Sequence, residues 1–205
     1  MNQQSGHSPG RVRIIGGQWR RRWLPVPAGA ALRPTPDRVR ETLFNWLAPS
    51  LLGARCLDLF AGSGVLGLEA ISRGAAHATL VEHDRELVTQ LRTNVTLLAA
   101  EEAVRVIESE ALRFLATPSN VTFNVVFLDP PYASGLVARV LPLLTPQWLT
   151  PAALLYLETP REQPLVPLPE GWRMIRVGET SKTRYCLAQT GGVAPHALQE
   201  LGLAC

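Results

Sequence analysis

Two short stretches hold residue types that do chemistry together. LDLFAGSGVLGLEA (residues 57–70) sets Asp58 at the end of an apolar run and follows it with Gly62, Gly64 and Gly67. FNVVFLDPPYASG (residues 123–135) runs from an apolar stretch into Asp129, Pro130, Pro131 and Tyr132. A G-x-G-x-x-G turn between a strand and a helix lets backbone approach a nucleotide closely, with the helix N-terminus facing it. Asp58 ahead of the glycines pulls away from NAD, because a carboxylate repels a pyrophosphate. It accepts an ammonium instead, directly or through water, and S-adenosylmethionine carries one on its amino acid end. Glu82 ends the next apolar run, TLVEHD, where an acid accepts from ribose hydroxyls; that suits either cofactor.

The Asp-Pro-Pro-Tyr stretch suits an exocyclic amine on a planar base. Two prolines fix the backbone and donate no N–H, so carbonyls are left to face a ligand. The Asp129 carboxylate and the Pro130 carbonyl accept the two N–H bonds of the amine, and Tyr132 stacks on the ring. Such a constellation belongs at the carboxyl end of a strand, where open α/β sheets bind ligands.

The elements that must position these residues follow from periodicity. Apolar runs predict strands at 55–60, 78–82, 104–108, 124–129, 153–158, 173–177 and 184–188, with helices near 64–74, 84–98, 109–116 and 134–144. Strands alternating with helices predict an α/β fold, a mostly parallel seven-stranded sheet covered on both faces. The last two strands, joined only by GETSK, predict an antiparallel edge. Thr35-Pro36-Asp37 reads as a helix start with Thr35 as N-cap and Pro36 at the first helical position, and Pro49 and Gly53 as its end. Upstream, two short runs around Gly16-Gly17 predict a β-hairpin, its second arm showing Arg20, Arg21 and Arg22 between Trp19 and Trp23.

Composition bounds the function. The chain has 205 residues, 46% hydrophobic and 18% charged, which suits one globular domain with a short appendage. Cys56, Cys186 and Cys205 are widely spaced, and the four histidines lack ligand spacing, so neither a zinc site nor a disulfide framework is expected. No apolar run reaches membrane-spanning length and no signal peptide is apparent, so a cytoplasmic protein is expected. The net charge of +3 is unevenly spread. Residues 1–40 carry eight arginines against Asp37 alone, a local +7, and the rest sums to −4. That asymmetry predicts a polyanion contact through Arg11, Arg13, Arg20, Arg21 and Arg22, with the tryptophans stacking on bases or pinning the hairpin.

At this point the motifs resemble a known group. D-x-F-x-G-x-G with D-P-P-Y is similar to the signature of S-adenosylmethionine-dependent enzymes that methylate exocyclic amines of nucleic-acid bases. RIIGGQWRRRWLPVP, LRPTPDRVRETLFNWL, CLDLFAGSGVLGLEAISRGA, VEHD and FLDPPY together resemble the RsmD family of bacterial 16S rRNA (guanine-966 N2)-methyltransferases, from about Arg11 to Tyr185. The resemblance implies a class I Rossmann-like methyltransferase fold, S-adenosylmethionine as cofactor and no metal. It implies a substrate of 16S rRNA in the small ribosomal subunit or its assembly intermediate, met by a monomer. By position it makes Asp129, Pro130, Pro131 and Tyr132 catalytic. It assigns Thr35, Arg38, Asp58, Gly62, Gly64 and Glu82 to the cofactor. The family's usual aspartate facing adenine is replaced here by Glu110, in SEALRF. The domain reading is a disordered start (1–10), a basic hairpin appendage (11–34), a methyltransferase domain (35–188) and a tail (189–205). Three other readings stay open: a DNA adenine-N6 methyltransferase with the same chemistry, a nicotinamide-dependent dehydrogenase, and a non-catalytic RNA-binding module.

Overall fold

The structure is a computed structural model and describes residues 10–27, 35–131 and 135–191. Expectations for 1–9, for a tail beyond 191 and for Tyr132 lie outside the described residues. Seven strands form one sheet: β3 (Arg55–Asp58), β4 (His77–Glu82), β5 (Val104–Glu108), β6 (Phe123–Leu128), β7 (Leu149–Pro160), β8 (Arg173–Glu179) and β9 (Thr183–Gln189). Their order is β5-β4-β3-β6-β7-β9-β8. Strands β3 to β7 pair in parallel, and β9 pairs antiparallel with β7 and β8, the expected edge. The chain leaves β3 outward through β4 and β5, then returns to β6 on the other side of β3. That reversal opens a crevice at the carboxyl ends of β3 and β6.

Helices cover both faces. α1 (Asp37–Leu51), α2 (Val65–Ser72) and α3 (Arg85–Leu97) share one apolar layer, and α4 (Ala111–Leu115) and α5 (Leu136–Val140) share the other. The central strands are apolar on both sides, as a sandwiched parallel sheet requires: Val125, Val126, Phe127 and Leu128 are all fully buried. α1 buries Val39, Leu43, Phe44, Leu47 and Leu51, one stripe at helical spacing. No helix among the described residues is long and apolar enough to cross a membrane.

Three local expectations are corrected. Pro36 rather than Thr35 is the N-cap residue of α1, and no side chain caps that end. The Thr35 hydroxyl points elsewhere, to Asp129. Pro49 lies inside α1, which runs on to Leu51; a proline in a last turn forfeits only one backbone bond. Gly53 then reverses the chain at φ 72°. The hairpin exists, as β1 (Gly10–Arg13) against β2 (Trp23–Val26), but Arg20, Arg21 and Arg22 sit in the connection and not on the second strand.

The reason is the Gly16-Gly17 pair, which serves packing and not a two-residue turn. A Cβ on Gly17 would run into the Ser72 carbonyl at the end of α2, and Gly17 has φ 76°. The Gln18 amide donates to that carbonyl at 2.8 Å, and the Ser72 hydroxyl donates to the Gly16 carbonyl at 2.6 Å. Buried Val12, Ile14 and Leu24 place the hairpin's inner face in the same apolar layer as α1 to α3.

Candidate active site

The crevice holds a cavity of about 880 Å³. The glycine turn after β3 forms one wall. Gly62 and Gly64 have φ 52° and 75°, values that favour glycine. A Cβ on Gly67 would meet Leu80, so this third glycine lets α2 lie close on β4. The motif thus divides its work: Gly62 lines the cavity, while Gly64 and Gly67 shape the turn and the packing behind it.

Glu82 is 7% exposed at the end of β4. Its Oε2 accepts the Gly62 amide at 2.8 Å, and its Oε1 accepts the amides of His83 and Asp84 at 2.8 and 2.9 Å. A carboxylate offers about four lone-pair directions, so Oε2 has capacity for one ribose hydroxyl and not for two hydroxyls on separate oxygens. The same acid that would grip a ribose therefore also holds the glycine turn in shape.

Asp58 is buried on the cavity floor at the end of β3. Burial, and secondarily the negative charge of Glu82, push its carboxyl up to about 7, against an amide bond from Phe60 that favours the charge. A carboxyl poised there takes up its proton near neutral pH in the cofactor-free protein, and an ammonium beside it would favour the charged form. Cofactor affinity is therefore expected to rise about ten-fold between pH 6 and pH 8, as the Asp58 proton is lost. Calorimetric titration across that range checks it, and a flat profile removes Asp58 from the ammonium site. The linked stability has the opposite sign. The folded state holds this proton more tightly than the unfolded one, so stability of the cofactor-free protein falls as pH rises from about 4 through about 7.

Asp129 and Pro130 follow β6 and line the opposite side of the cavity, together with Pro131. The Thr35 hydroxyl donates to Asp129 Oδ2 at 3.1 Å. The segment before α1 is itself held by Arg40, whose Nε donates to the Thr35 carbonyl at 3.2 Å. Glu110, at the N-cap of α4, lines the cavity wall beyond Glu82, where the resemblance puts a residue facing adenine. Arg38 is not brought to the cavity. It lies on the outer face of α1, because the helical stripe turns Val39 and Arg40 inward.

Among the described residues, two further buried acids, Glu69 and Glu158, have no role in the sequence reading. Glu69 in α2 is fully buried and accepts the amides of Ile15 and Gly16, both at 2.7 Å, and the Arg73 Nε at 2.7 Å; Arg40 Nη1 lies 3.5 Å away. It fastens the hairpin to the body. Glu158, late in β7, lines the cavity beside Asp129. A detectable signal existed for it: like Glu82, it is an acid that ends an apolar strand run, here LLYLE.

The five hairpin arginines are all exposed. Two are partly engaged. Arg13 pairs with Asp37 at 2.8 Å and lies over the Trp23 ring at 5.6 Å, and Arg22 donates to the Leu97 carbonyl at 3.2 Å. Trp19 packs against the apolar layer, whereas Trp23 is 55% exposed, so the two tryptophans divide the pinning and surface roles.

The family model described as Conserved hypothetical protein 95 matches residues 12–189, the span that holds the hairpin, the glycine turn and the Asp-Pro-Pro stretch. The chain belongs to this family, that of the RsmD methyltransferases. Ribosomal RNA small subunit methyltransferase D of Escherichia coli K12 is 49% identical over 190 residues, 92% of this chain and 95% of that protein. The Haemophilus influenzae protein of the same name is 46% identical over 189 residues, 91% of this chain and 97% of that one. The solved Escherichia coli chain yhhF has a TM-score of 0.82 at 48% identity, covering 89% of this chain and 99% of its own. An RNA methyltransferase from Salinibacter ruber, solved with S-adenosyl-L-homocysteine, shares the fold at 21% identity, with a TM-score of 0.59 and coverage of 80% and 97%. As an RsmD-family member the chain is an S-adenosylmethionine-dependent methyltransferase, and the nicotinamide and non-catalytic readings fall away. The cavity lining fits that donor: Asp58 is a buried acid that would hold the ammonium, Glu82 one that would hold a ribose hydroxyl, and Gly62 lies between them.

Proposed function

We propose that the chain methylates the exocyclic N2 of a guanine in 16S rRNA, within the small ribosomal subunit or its assembly intermediate, as a cytoplasmic monomer. The observation that carries this reading is Asp129 at the carboxyl end of β6, in one cavity with Asp58 and Glu82 and braced by Thr35. The names of the 49% and 46% identical relatives support the rRNA substrate. The division into a basic hairpin appendage (11–34) and a methyltransferase domain (35–188), between a start (1–10) and a tail (189–205), is part of this proposal.

Asp58 and Glu82 would hold the cofactor, which would supply a sulfonium methyl, with sulfur keeping the electron pair of the bond that breaks as the bond to nitrogen forms. The base must leave its stack to reach the cavity. The amine is a poor nucleophile because its lone pair is delocalised into the ring. Asp129 and the Pro130 carbonyl accept its N–H bonds, and both bonds strengthen as positive charge grows on nitrogen; this is stabilisation realised mainly in the transition state. Asp129 then takes the departing proton or passes it to water. Tyr132 is assigned to stack on the base. Transfer of a labelled methyl group to unmodified small subunits, with the product nucleoside identified, tests the reading. Label in N2-methylguanine supports it, and label in any other base overturns it.

The hairpin is proposed to grip RNA phosphates through Arg11, Arg13, Arg20, Arg21 and Arg22. Replacing Arg20, Arg21 and Arg22 by alanine is expected to weaken binding to small subunits. Each lost phosphate contact should reduce the slope of log affinity against log salt by roughly 0.7 to 0.9. Cofactor affinity is expected to stay the same, because Arg20, Arg21 and Arg22 do not line the cavity. Binding titrations at several salt concentrations check this; equal slopes for wild type and variant place the RNA grip elsewhere.

A further inference from the structure

Glu158 is a buried acid in the cavity for which the reaction as derived has no use. It is 5% exposed. Leu128, the last residue of β6, pairs with Leu157 of β7, so Asp129 leaves β6 at the level where Glu158 continues β7. Neighbouring strands lie about 4.8 Å apart. Side chains two residues apart share a face. Phe127 and Tyr156 are paired and lie in the apolar layer under α1, so Asp129 and Glu158 project on that same side, where Thr35 meets Asp129. Tyr156 is fully buried and donates its hydroxyl to Glu158 Oε2 at 2.8 Å, which sets the rotation of the carboxylate. Both carboxylates thus belong to the lining of one cavity, at the same level of adjacent strands, and each accepts from a hydroxyl.

We propose that Glu158 selects guanine by accepting the N1–H of the target base while Asp129 accepts from its exocyclic amine. The proposal rests on the base-amine reading above and adds the residue that chooses the base. A guanine turned into the cavity presents two adjacent donors on its pairing edge, N1–H and N2–H. Two neighbouring acceptors complement that edge. Adenine presents its amine beside the bare lone pair of N1, and a carboxylate facing that lone pair repels it. A site built around a substrate N–H rejects analogues that lack it far more strongly than an apolar pocket rejects a change of shape, because the acceptor lone pair aimed at the base then meets another lone pair. The same placement disfavours the adenine-N6 alternative.

The test uses the full chain and small subunits whose 16S rRNA carries either guanine or 2-aminopurine at the methylated position. 2-Aminopurine keeps the N2 amine but has a lone pair at N1. For wild type, kcat/KM for guanine is expected to exceed that for 2-aminopurine by about 10²-fold, the scale of a hydrogen bond to a charged group. Glu158→Gln, whose amide can turn its N–H toward a lone pair, is expected to bring that ratio close to one, with cofactor affinity and Tm unchanged. Tyr156→Phe, which frees the carboxylate to rotate, should lower the ratio part of the way and serves as the second variant if Glu158→Gln does not fold. An unchanged ratio in the folded variant overturns the role of Glu158. If wild type transfers no methyl group to guanine, the base-amine reading fails and takes this proposal with it. If guanine is methylated but the variants discriminate as wild type does, only this proposal fails.

Discussion

Asp129→Ala is expected to slow methyl transfer by about 10²–10³-fold while cofactor affinity stays at the wild-type level, the loss typical of removing one acceptor or donor aimed at transition-state charge. The amine gains its positive charge only as the new bond forms, so the bond to Asp129 contributes mainly to the rate and little to binding. The residues proposed to hold the cofactor, Asp58, Glu82 and the glycine turn, belong to β3, β4 and the turn between β3 and α2, and the bond between Glu82 and the Gly62 amide is made without Asp129. Single-turnover rates with saturating cofactor, alongside calorimetric cofactor binding, separate the two effects. Near-normal turnover in the variant would take Asp129 out of the mechanism. Thr35→Val offers a graded comparison. It removes the 3.1 Å bond to Oδ2 but keeps the carboxylate, so its rate should fall between wild type and Asp129→Ala.

The second large effect is on stability. Glu69→Ala is expected to destabilise the fold by about 3–5 kcal/mol, the cost of removing one partner from a buried ion pair. Glu69 is fully buried, and its carboxylate ties Arg73, the amides of Ile15 and Gly16, and the 1% exposed Arg40 into one cluster. Arg40 keeps its bond to Asp37 at 2.6 Å and its bonds to the Thr35 and Arg13 carbonyls, which argues for the lower end of that range. Denaturant unfolding measures the loss, and hydrogen exchange at Ile15 and Gly16 locates it. A loss under about 1 kcal/mol, the worth of an exposed pair, would show that the cluster does not fasten the hairpin. Because Arg40 reaches both the hairpin and the Thr35 segment, the variant should also slow methyl transfer more than its stability loss explains.

Seven strands and the helices between them were legible because each is a local pattern. Apolar runs of five or six residues separated by helical periodicity leave few other folds. Strand ends moved by only a few residues; β7 extended most, from a predicted 153–158 to Leu149–Pro160. Misreadings came where a local rule met a distant partner. Thr35-Pro36-Asp37 has the composition of a capped helix start, but a hydroxyl 94 positions away from Asp129 in sequence is drawn into the cavity instead. Gly16-Gly17 has the composition of a tight turn, but the close approach of α2 uses it.

By itself the sequence determined the chemistry on offer. An acid ahead of a glycine turn, an acid ending the next strand and Asp-Pro-Pro-Tyr ending another are each a local pattern, and residue type and order suffice to read them. Tertiary structure alone decided which acids meet. Asp58, Glu82, Asp129 and Glu158 come from four strands that pair only after the chain reverses between β3 and β6, and that reversal brings their carboxyl ends to one crevice. It also decided that Glu69, a lone acid in the apolar helix VLGLEAIS, is the buried anchor of the hairpin. Burial sets the strength of a charge and the value of a partner, and burial is a property of packing between distant segments, which no local pattern encodes.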